Sequence, residues 1–260
     1  MELETVQLHI IDNVAHVILN RPEKRNAFNS QMIMDLTDAF RTLAEHSCRS
    51  IVLTGEGSTF SAGADLDYMS EMREASHQDN LKDAMRLADL LELIYTHPKP
   101  VIARVNGPVV GGGNGLVAAC DIAVAKKGSF FAFSEVRLGI TPATISPYVI
   151  RRIGEGRARL LMLTGERFTA DQALEYGLVH RVAVMGDLEH AVHGYTTALS
   201  LGGPKALEEC KKLIQKVGEE PLDSVKNYTA EMIADLRVSE EGQEGMGSYL
   251  DRRDPEWQKG

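Results

Sequence analysis

The chain has 260 residues with 43% hydrophobic and 25% charged, enough length and apolar content for a sizeable globular core. Its net charge of −9 argues against a nucleic-acid surface, which needs clustered Lys and Arg to track phosphates. Three scattered cysteines (Cys48, Cys120, Cys210) form no C-x-x-C, so neither a disulfide framework nor a metal site is expected.

The start, Met1-Glu2-Leu3-Glu4, is acidic and lacks an apolar core, so no signal peptide is expected. Val6–Ile11 and Val14–Leu19 flank the turn signal Asp12-Asn13 and predict a hairpin that ends at Arg21-Pro22. Ser30 is expected to cap a helix reaching about Ala44, with Ile33, Leu36, Phe40 and Leu43 in helical period. The β-branched run Ile51–Leu53 predicts a strand, and a loop of small residues then leads into a helix with Asp65 in its first turn. Two helical stretches follow between Asp65 and Ile94, split by the polar patch Ser76-His77-Gln78-Asp79. His97-Pro98-Lys99-Pro100 stops the second.

Val101–Val105 reads as a buried strand bounded by Pro100 and Gly107. Behind it stand three consecutive glycines, Gly111, Gly112 and Gly113, and an apolar segment, Leu116–Cys120, expected to enter a helix. The first amides of a helix lack internal acceptors and carry the positive end of its dipole. Glycines let a ligand come close to them. The combination suits a developing negative charge on oxygen, although small residues also serve plain helix-to-sheet packing. The apolar run around 109–120 is too short and glycine-rich for a membrane span, so a reducing cytoplasm is the expected setting.

Past Asp121, strands are predicted at Ile122–Ala125 and Phe130–Phe133, with Ser134-Glu135 where the second ends. Helices are predicted at Ser146–Ile153, at Arg157–Leu163 and, capped by Thr169 and closed by Gly177, through Tyr176. The remainder reads as helical: Leu188–Leu199, Pro204–Val217, Leu222–Leu236 and Glu240–Arg252. In the third of these, Leu222, Val225, Tyr228, Met232 and Leu236 form an apolar stripe. Alternating strands and helices give an α/β fold. The helical tail does not fit around that core and is read as a covering subdomain and oligomer contact, which divides the chain into residues 1–200 and 201–260. His16 and His180 fall in predicted strands and are read as structural. A Walker A loop, G-x-S-x-G, H-E-x-x-H and a complete G-x-G-x-x-G are absent from the sequence.

Four segments, Arg21–Phe28, Thr54–Leu66, Asn106–Asp121 and Ser134–Gly139, resemble in order and spacing the enoyl-CoA hydratase/isomerase (crotonase) superfamily. The resemblance runs from about Val6 to the end. It implies a spiral of β-β-α units with a C-terminal helical trimerisation subdomain, assembled as a homotrimer or dimer of trimers. It implies an acyl-CoA thioester substrate, with coenzyme A as part of the substrate and no separate cofactor, nucleic acid or membrane partner. The thioester oxygen would sit between the backbone N–H groups of Ala64 and Gly112. Coenzyme A would lie along Lys24, Arg25, Ala27, Ala62, Asp65 and Leu66.

Glu135 corresponds to a catalytic glutamate of the resemblance. It also follows a strand of phenylalanines, where desolvation raises a carboxyl pKa toward the working range. The competing reading is an ion pair with Arg137. Standard hydratases of the superfamily carry a second glutamate two residues after the glycine triplet, and Gly115, preceded by Asn114, stands there instead. Some isomerases of the superfamily use a single glutamate. Ile145–Ile150 and Arg237–Gly245, however, resemble bacterial methylglutaconyl-CoA and related branched enoyl-CoA hydratases, which suggests leucine or fatty-acid degradation. The expectation is therefore an enoyl-CoA hydratase, with a 3,2-enoyl-CoA isomerase or a non-catalytic acyl-CoA-binding homologue as alternatives. Gly115 is expected to free volume beside the acyl chain.

Overall fold

The computed structural model describes residues 3–184 and 186–259. Strands β1 (Val6–Ile11) and β2 (Val14–Leu19) form the predicted hairpin. Asp12 and Asn13 sit at φ 49° and 61°, the positive values that a two-residue hairpin turn demands. Strands β3 (Ser50–Gly55), β4 (Val101–Val105), β6 (Ile122–Lys126) and β9 (Arg181–Ala183) extend the sheet in parallel, in the order β1-β2-β3-β4-β6-β9. A second sheet, β5-β7-β8, joins Val109–Val110, Phe130–Ala132 and Arg167–Thr169. Two of these short strands, β5 and β8, give no periodic signal in the sequence.

Both faces of the large sheet are covered, which is why β3 is buried at every residue. Ala15, Val17, Leu19, Ile51, Leu53, Val101 and Ala103 join the main core with α1 (Ser30–Glu45), α3 (His77–Tyr95) and α4 (Gly113–Ala119). The alternate residues Val52, Ile102, Val124 and Ala183 face the other way, onto Leu188, Ala191 and Val192 of α7 (Leu188–Ser200). The β-β-α rhythm is visible in β1-β2-α1 and β4-β5-α4. After β3 the second strand of the unit shrinks to single bridges, Ser61 to Val109 and Phe28 to Ala64, before α2 (Leu66–Glu74).

Several boundaries differ from the sequence reading. Asn29, not Ser30, caps α1 by accepting from the Met32 amide at 2.9 Å. Asp65 is the N-cap of α2 rather than part of its first turn. The glycine loop turns helical at Gly113, and His180 precedes β9 instead of lying in it. The two helices expected around Gly154 run together as α5 (Ser146–Thr164), broken at Gly154 by φ 74° and ψ 161°. Thr169 caps α6 (Ala170–Tyr176) as expected, and Gln172 completes a capping box that the sequence reading did not include.

The C-terminal helices are α8 (Pro204–Glu219), α9 (Leu222–Val238) and α10 (Glu240–Asp251). Lys211 of α8 reaches Asp121 at 2.7 Å, and Gln215 donates to the Tyr95 carbonyl at 3.0 Å, tying α8 to the body. The stripe on α9 is not core: of its residues only Val225 is buried. Among the described residues no helix is long and apolar enough to cross a membrane.

Candidate active site

The loop 61–65 is shaped by its neighbour, the 21–28 segment. Phe28 donates to the Gly63 carbonyl at 2.6 Å and accepts from the Asp65 amide at 2.8 Å, a one-residue piece of ladder. In such a ladder the residue between the two bonded groups points its own N–H the other way. That residue is Ala64, which is exposed, and its amide has no acceptor among the described residues. Asp65 is almost wholly buried. Burial alone would raise its pKa, but the Arg21 guanidinium at 2.6 Å and the Asp67 amide at 3.1 Å hold it below the usual carboxylate range.

Arg21 also donates to the Ala27 carbonyl at 2.7 Å, so one guanidinium clamps both segments. Asn26, fully buried, accepts from the Arg21 amide and donates to the Glu56 and Thr59 carbonyls. Ala62 donates to the Arg25 carbonyl at 3.0 Å. Lys24, Arg25, Ala27, Ala62, Asp65 and Leu66 thus fall in one neighbourhood. Lys24 is already engaged, 3.0 Å from Asp67 and 3.9 Å from Asp65, whereas the Arg25 side chain and Leu66 are exposed. Sequence reasoning gave the Arg21 and Asn26 side chains no role of their own; Asn26 forms a left-handed turn with Arg25, at φ 54° and 52°, and Arg21 precedes it.

Val110 joins the two loops by donating to Ser61 at 2.9 Å, and Gly111 donates to Ala132 at 2.9 Å. Gly63 and Gly111 then meet closely, both at positive φ, 89° and 54°. A Cβ on Gly111 would stand 3.6 Å from the Gly63 Cα and 3.4 Å from Glu135 Oε1. The two glycine turns and the glutamate therefore converge on one spot. Gly112, half-buried against the Phe28 ring, offers a second amide with no acceptor among the described residues.

Glu135 opens a one-turn 3₁₀ helix after β7. Its Oε2 is buried and has no hydrogen-bond partner. Burial pushes its pKa up, countered in part by its own backbone amide. No cation lies within ion-pair reach of it among the described residues; Arg137 instead donates to the Thr164 carbonyl at 3.5 Å. The ion-pair reading of Glu135 is set aside. A desolvated carboxyl without a counter-charge is the form in which glutamate can take and return protons near neutral pH.

Gly115 overturns one expectation. A Cβ there would lie 2.4 Å from Ile145 Cγ2 and 2.9 Å from Ile145 Cβ, with Leu91 at 3.3 Å. Ile145 and Leu91 are both fully buried. The missing side chain leaves no free volume, because Ile145, the N-cap of α5, occupies the space. At the far end of α4, Arg152 donates to the Ala118 carbonyl at 2.9 Å and to the Cys120 carbonyl, capping the helix.

A family model for enoyl-CoA hydratase/isomerase matches residues 9–260. An Alternaria alternata protein named enoyl-CoA hydratase ACTT6 is 40% identical over 202 residues, 77% of this chain and 66% of its own length. A Thermus thermophilus protein provisionally named an enoyl-CoA hydratase is 34% identical over 244 residues, 94% of this chain and 96% of its own. The solved structure of an enoyl-CoA hydratase from Shewanella pealeana has a TM-score of 0.96 at 37% identity, covering 98% of this chain and 97% of its own. Pseudomonas aeruginosa AtuE has a TM-score of 0.95 at 34% identity, covering 98% and 100%.

Proposed function

This chain belongs to the enoyl-CoA hydratase/isomerase family and is an enzyme of the enoyl-CoA hydratase kind, and we propose that it hydrates a 2-enoyl-CoA thioester with Glu135 as its single acid/base. The observation that carries the reading is the Glu135 carboxyl, whose Oε2 is buried without a partner, beside two amides, Ala64 and Gly112, that have no acceptor among the described residues.

In this reading the thioester oxygen accepts from both amides. Glu135 takes a proton from water as the water oxygen bonds to the β-carbon. The electron pair of the double bond moves onto the thioester oxygen as an enolate. Glu135 then returns its proton to the α-carbon as the enolate collapses. Each oxyanion donor is worth on the order of 10²–10³ in rate. Coenzyme A, carried as part of the substrate, would lie along Arg25, Ala27, Ala62, Asp65 and Leu66, with Lys24 exchanging Asp67 for a phosphate. No further cofactor is called for by these steps.

The branched-substrate refinement rests on the likeness of Ile145–Ile150 and Arg237–Gly245 to branched enoyl-CoA hydratases. With the space at Gly115 filled by Ile145, no enlarged pocket supports it. The C-terminal helices, with apolar residues outward, suit the proposed trimer or dimer of trimers.

Purified protein incubated with crotonyl-CoA and with methylglutaconyl-CoA in ¹⁸O-water should give label-bearing hydroxyacyl-CoA, and the two kcat/KM values decide the refinement. The single carboxylate also favours a second reading, proton shuttling from 3-enoyl- to 2-enoyl-CoA. Label-free product from a 3-enoyl ester, with no hydration of any 2-enoyl ester, would replace the hydratase by that isomerase.

A further inference from the structure

Resting on the oxyanion reading above, we propose that Asn114 is the positioning residue of the Gly112 amide. Asn114 is fully buried in the first turn of α4. Its Nδ2 donates to the Gly111 carbonyl at 3.1 Å and to the Ala132 carbonyl at 2.9 Å. Its backbone N–H donates to the same Gly111 carbonyl at 2.9 Å.

The peptide unit that joins Gly111 to Gly112 is planar and trans, so its C=O and its N–H point in opposite directions. Holding the Gly111 carbonyl therefore fixes the direction of the Gly112 N–H. Residue 114 holds that carbonyl twice, and the Gly112 N–H is turned away from α4 with no acceptor among the described residues. Three consecutive glycines have no side chains to pack and the widest backbone freedom of any residue. A donor aimed at a developing charge must be set before the reaction, and here the setting comes from the neighbouring amide side chain.

The second bond does more. The Ala132 carbonyl also accepts from the Gly111 amide and lies three residues before Glu135. One side chain thereby registers the oxyanion peptide against the strand that delivers the carboxylate. The orientation of the side chain is settled by chemistry, since both neighbours are carbonyl oxygens and only its NH₂ can face them. Its Oδ1 is consequently left buried without a donor. An apolar residue would avoid that cost, and the two bonds made by Nδ2 are what offset it here.

The test uses Asn114→Ala and Asn114→Ser, with butyryl-CoA carrying ¹³C at its thioester carbonyl as a bound probe that cannot be hydrated. Serine in a first helical turn donates back to the carbonyl three residues earlier, here that of Gly111, so it restores one bond. Asn114→Ala should lower kcat about 10- to 100-fold with KM within about threefold, a part of the worth of an oxyanion donor. The probe's carbonyl band, shifted down in the unaltered enzyme, should move back toward its solution position, and Asn114→Ser should fall between. The acid limb of the rate profile, set by Glu135, should not move. A kcat within threefold of the unaltered enzyme in both variants, or a shifted band that both leave in place, overturns the proposal alone. An unshifted band in the unaltered enzyme removes the oxyanion reading, and this proposal with it.

Discussion

Two helices of this chain carry apolar residues at helical spacing and meet opposite fates. Helix α4 is buried at every residue, its start locked by Asn114 and its end capped by Arg152. Helix α9, more than twice as long, buries only Val225. A hydrophobic stripe says that a face must be covered and says nothing of which molecule covers it. What separates the two is close approach and polar fixing: α4 lets Ile145 sit against a bare glycine, and the side chains of Asn114 and Arg152 bind carbonyls at its two ends. Substitutions around α4 should therefore touch chemistry or folding, whereas substitutions on the exposed face of α9 should touch neither.

The largest effect is expected at Glu135, where α4's loop meets the carboxylate. Glu135→Gln should lower kcat by roughly 10²–10⁴, the usual worth of a positioned acid/base, with KM changed by no more than a few fold. Burial holds the Glu135 pKa above the ordinary glutamate value, and the residue must be ionised to accept a proton. The acid limb of kcat/KM should accordingly rise through a pH above the ordinary carboxylate range. Near-normal turnover in the Gln variant would detach this region from the chemistry.

Next comes the contact that closes α4 on α5. Gly115→Ala drives a Cβ to 2.4 Å from Ile145 Cγ2, and because the Ile145 Cβ is itself 2.9 Å away, a rotamer change cannot relieve it. Overpacking of this kind costs roughly 1–3 kcal/mol. Ile145→Ala should cost roughly 2–5 kcal/mol through the cavity it leaves. Combined, the two should cost at least about 1 kcal/mol less than their sum, since each relieves the other. Denaturant melts of the four proteins measure this. Strict additivity would mean that Gly115 and Ile145 do not share the space.

Much of this architecture was legible in the sequence. The hairpin bounds, the Thr169 cap and the order of the loops follow from turn residues, caps and periodicity, all of which are local. The Gly115–Ile145 contact was not legible, because it joins residues far apart in sequence, and a glycine reads alike whether it opens a pocket or admits a neighbour. Asn114 looked like a bystander to a missing glutamate for a related reason: of its two partners, Gly111 is local, but Ala132 stands 18 residues on at the end of β7. The strands β5 and β8 were too short to show a period.

A third expectation concerns the wall behind α3. His97 is buried, accepts at Nδ1 from the Lys99 amide at 3.1 Å and so carries its proton on Nε2, facing the Phe40 carbonyl at 3.1 Å. Burial, with Lys211 and Lys99 nearby, pushes its pKa down from 6.5 to about 4. A histidine kept neutral in the fold contributes stability that is intact above its unfolded pKa and lost as pH falls from 6.5 toward 4. The loss amounts to roughly 2–3 kcal/mol at about 1.4 kcal/mol per unit. His97→Asn, whatever its own cost, should unfold with a shallower pH dependence across that window. Parallel curves for the two proteins would place the titration elsewhere.

The smallest effect on the fold belongs to the C-terminal layer, and there the comparison is sharpest. Leu222 on α9 and Tyr249 on α10 are 82% and 84% exposed, and Val238 and Leu250 are nearly as open. Surface positions without partners contribute within about 0.5 kcal/mol to the stability of a single chain. Apolar residues gathered on neighbouring helices are nevertheless the composition of a contact surface, and the proposed occupant is a second copy of this chain. Leu222→Ser combined with Tyr249→Ser should then leave the unfolding of dissociated chains unchanged while lowering the assembly mass seen by sedimentation at micromolar concentration. Turnover per folded chain at high concentration should stay near that of the parent, because neither residue neighbours Glu135, Ala64 or Gly112. If the pair of substitutions instead unfolds the chain and leaves the assembly mass alone, α9 and α10 are part of the core after all, and the contrast with α4 is one of degree.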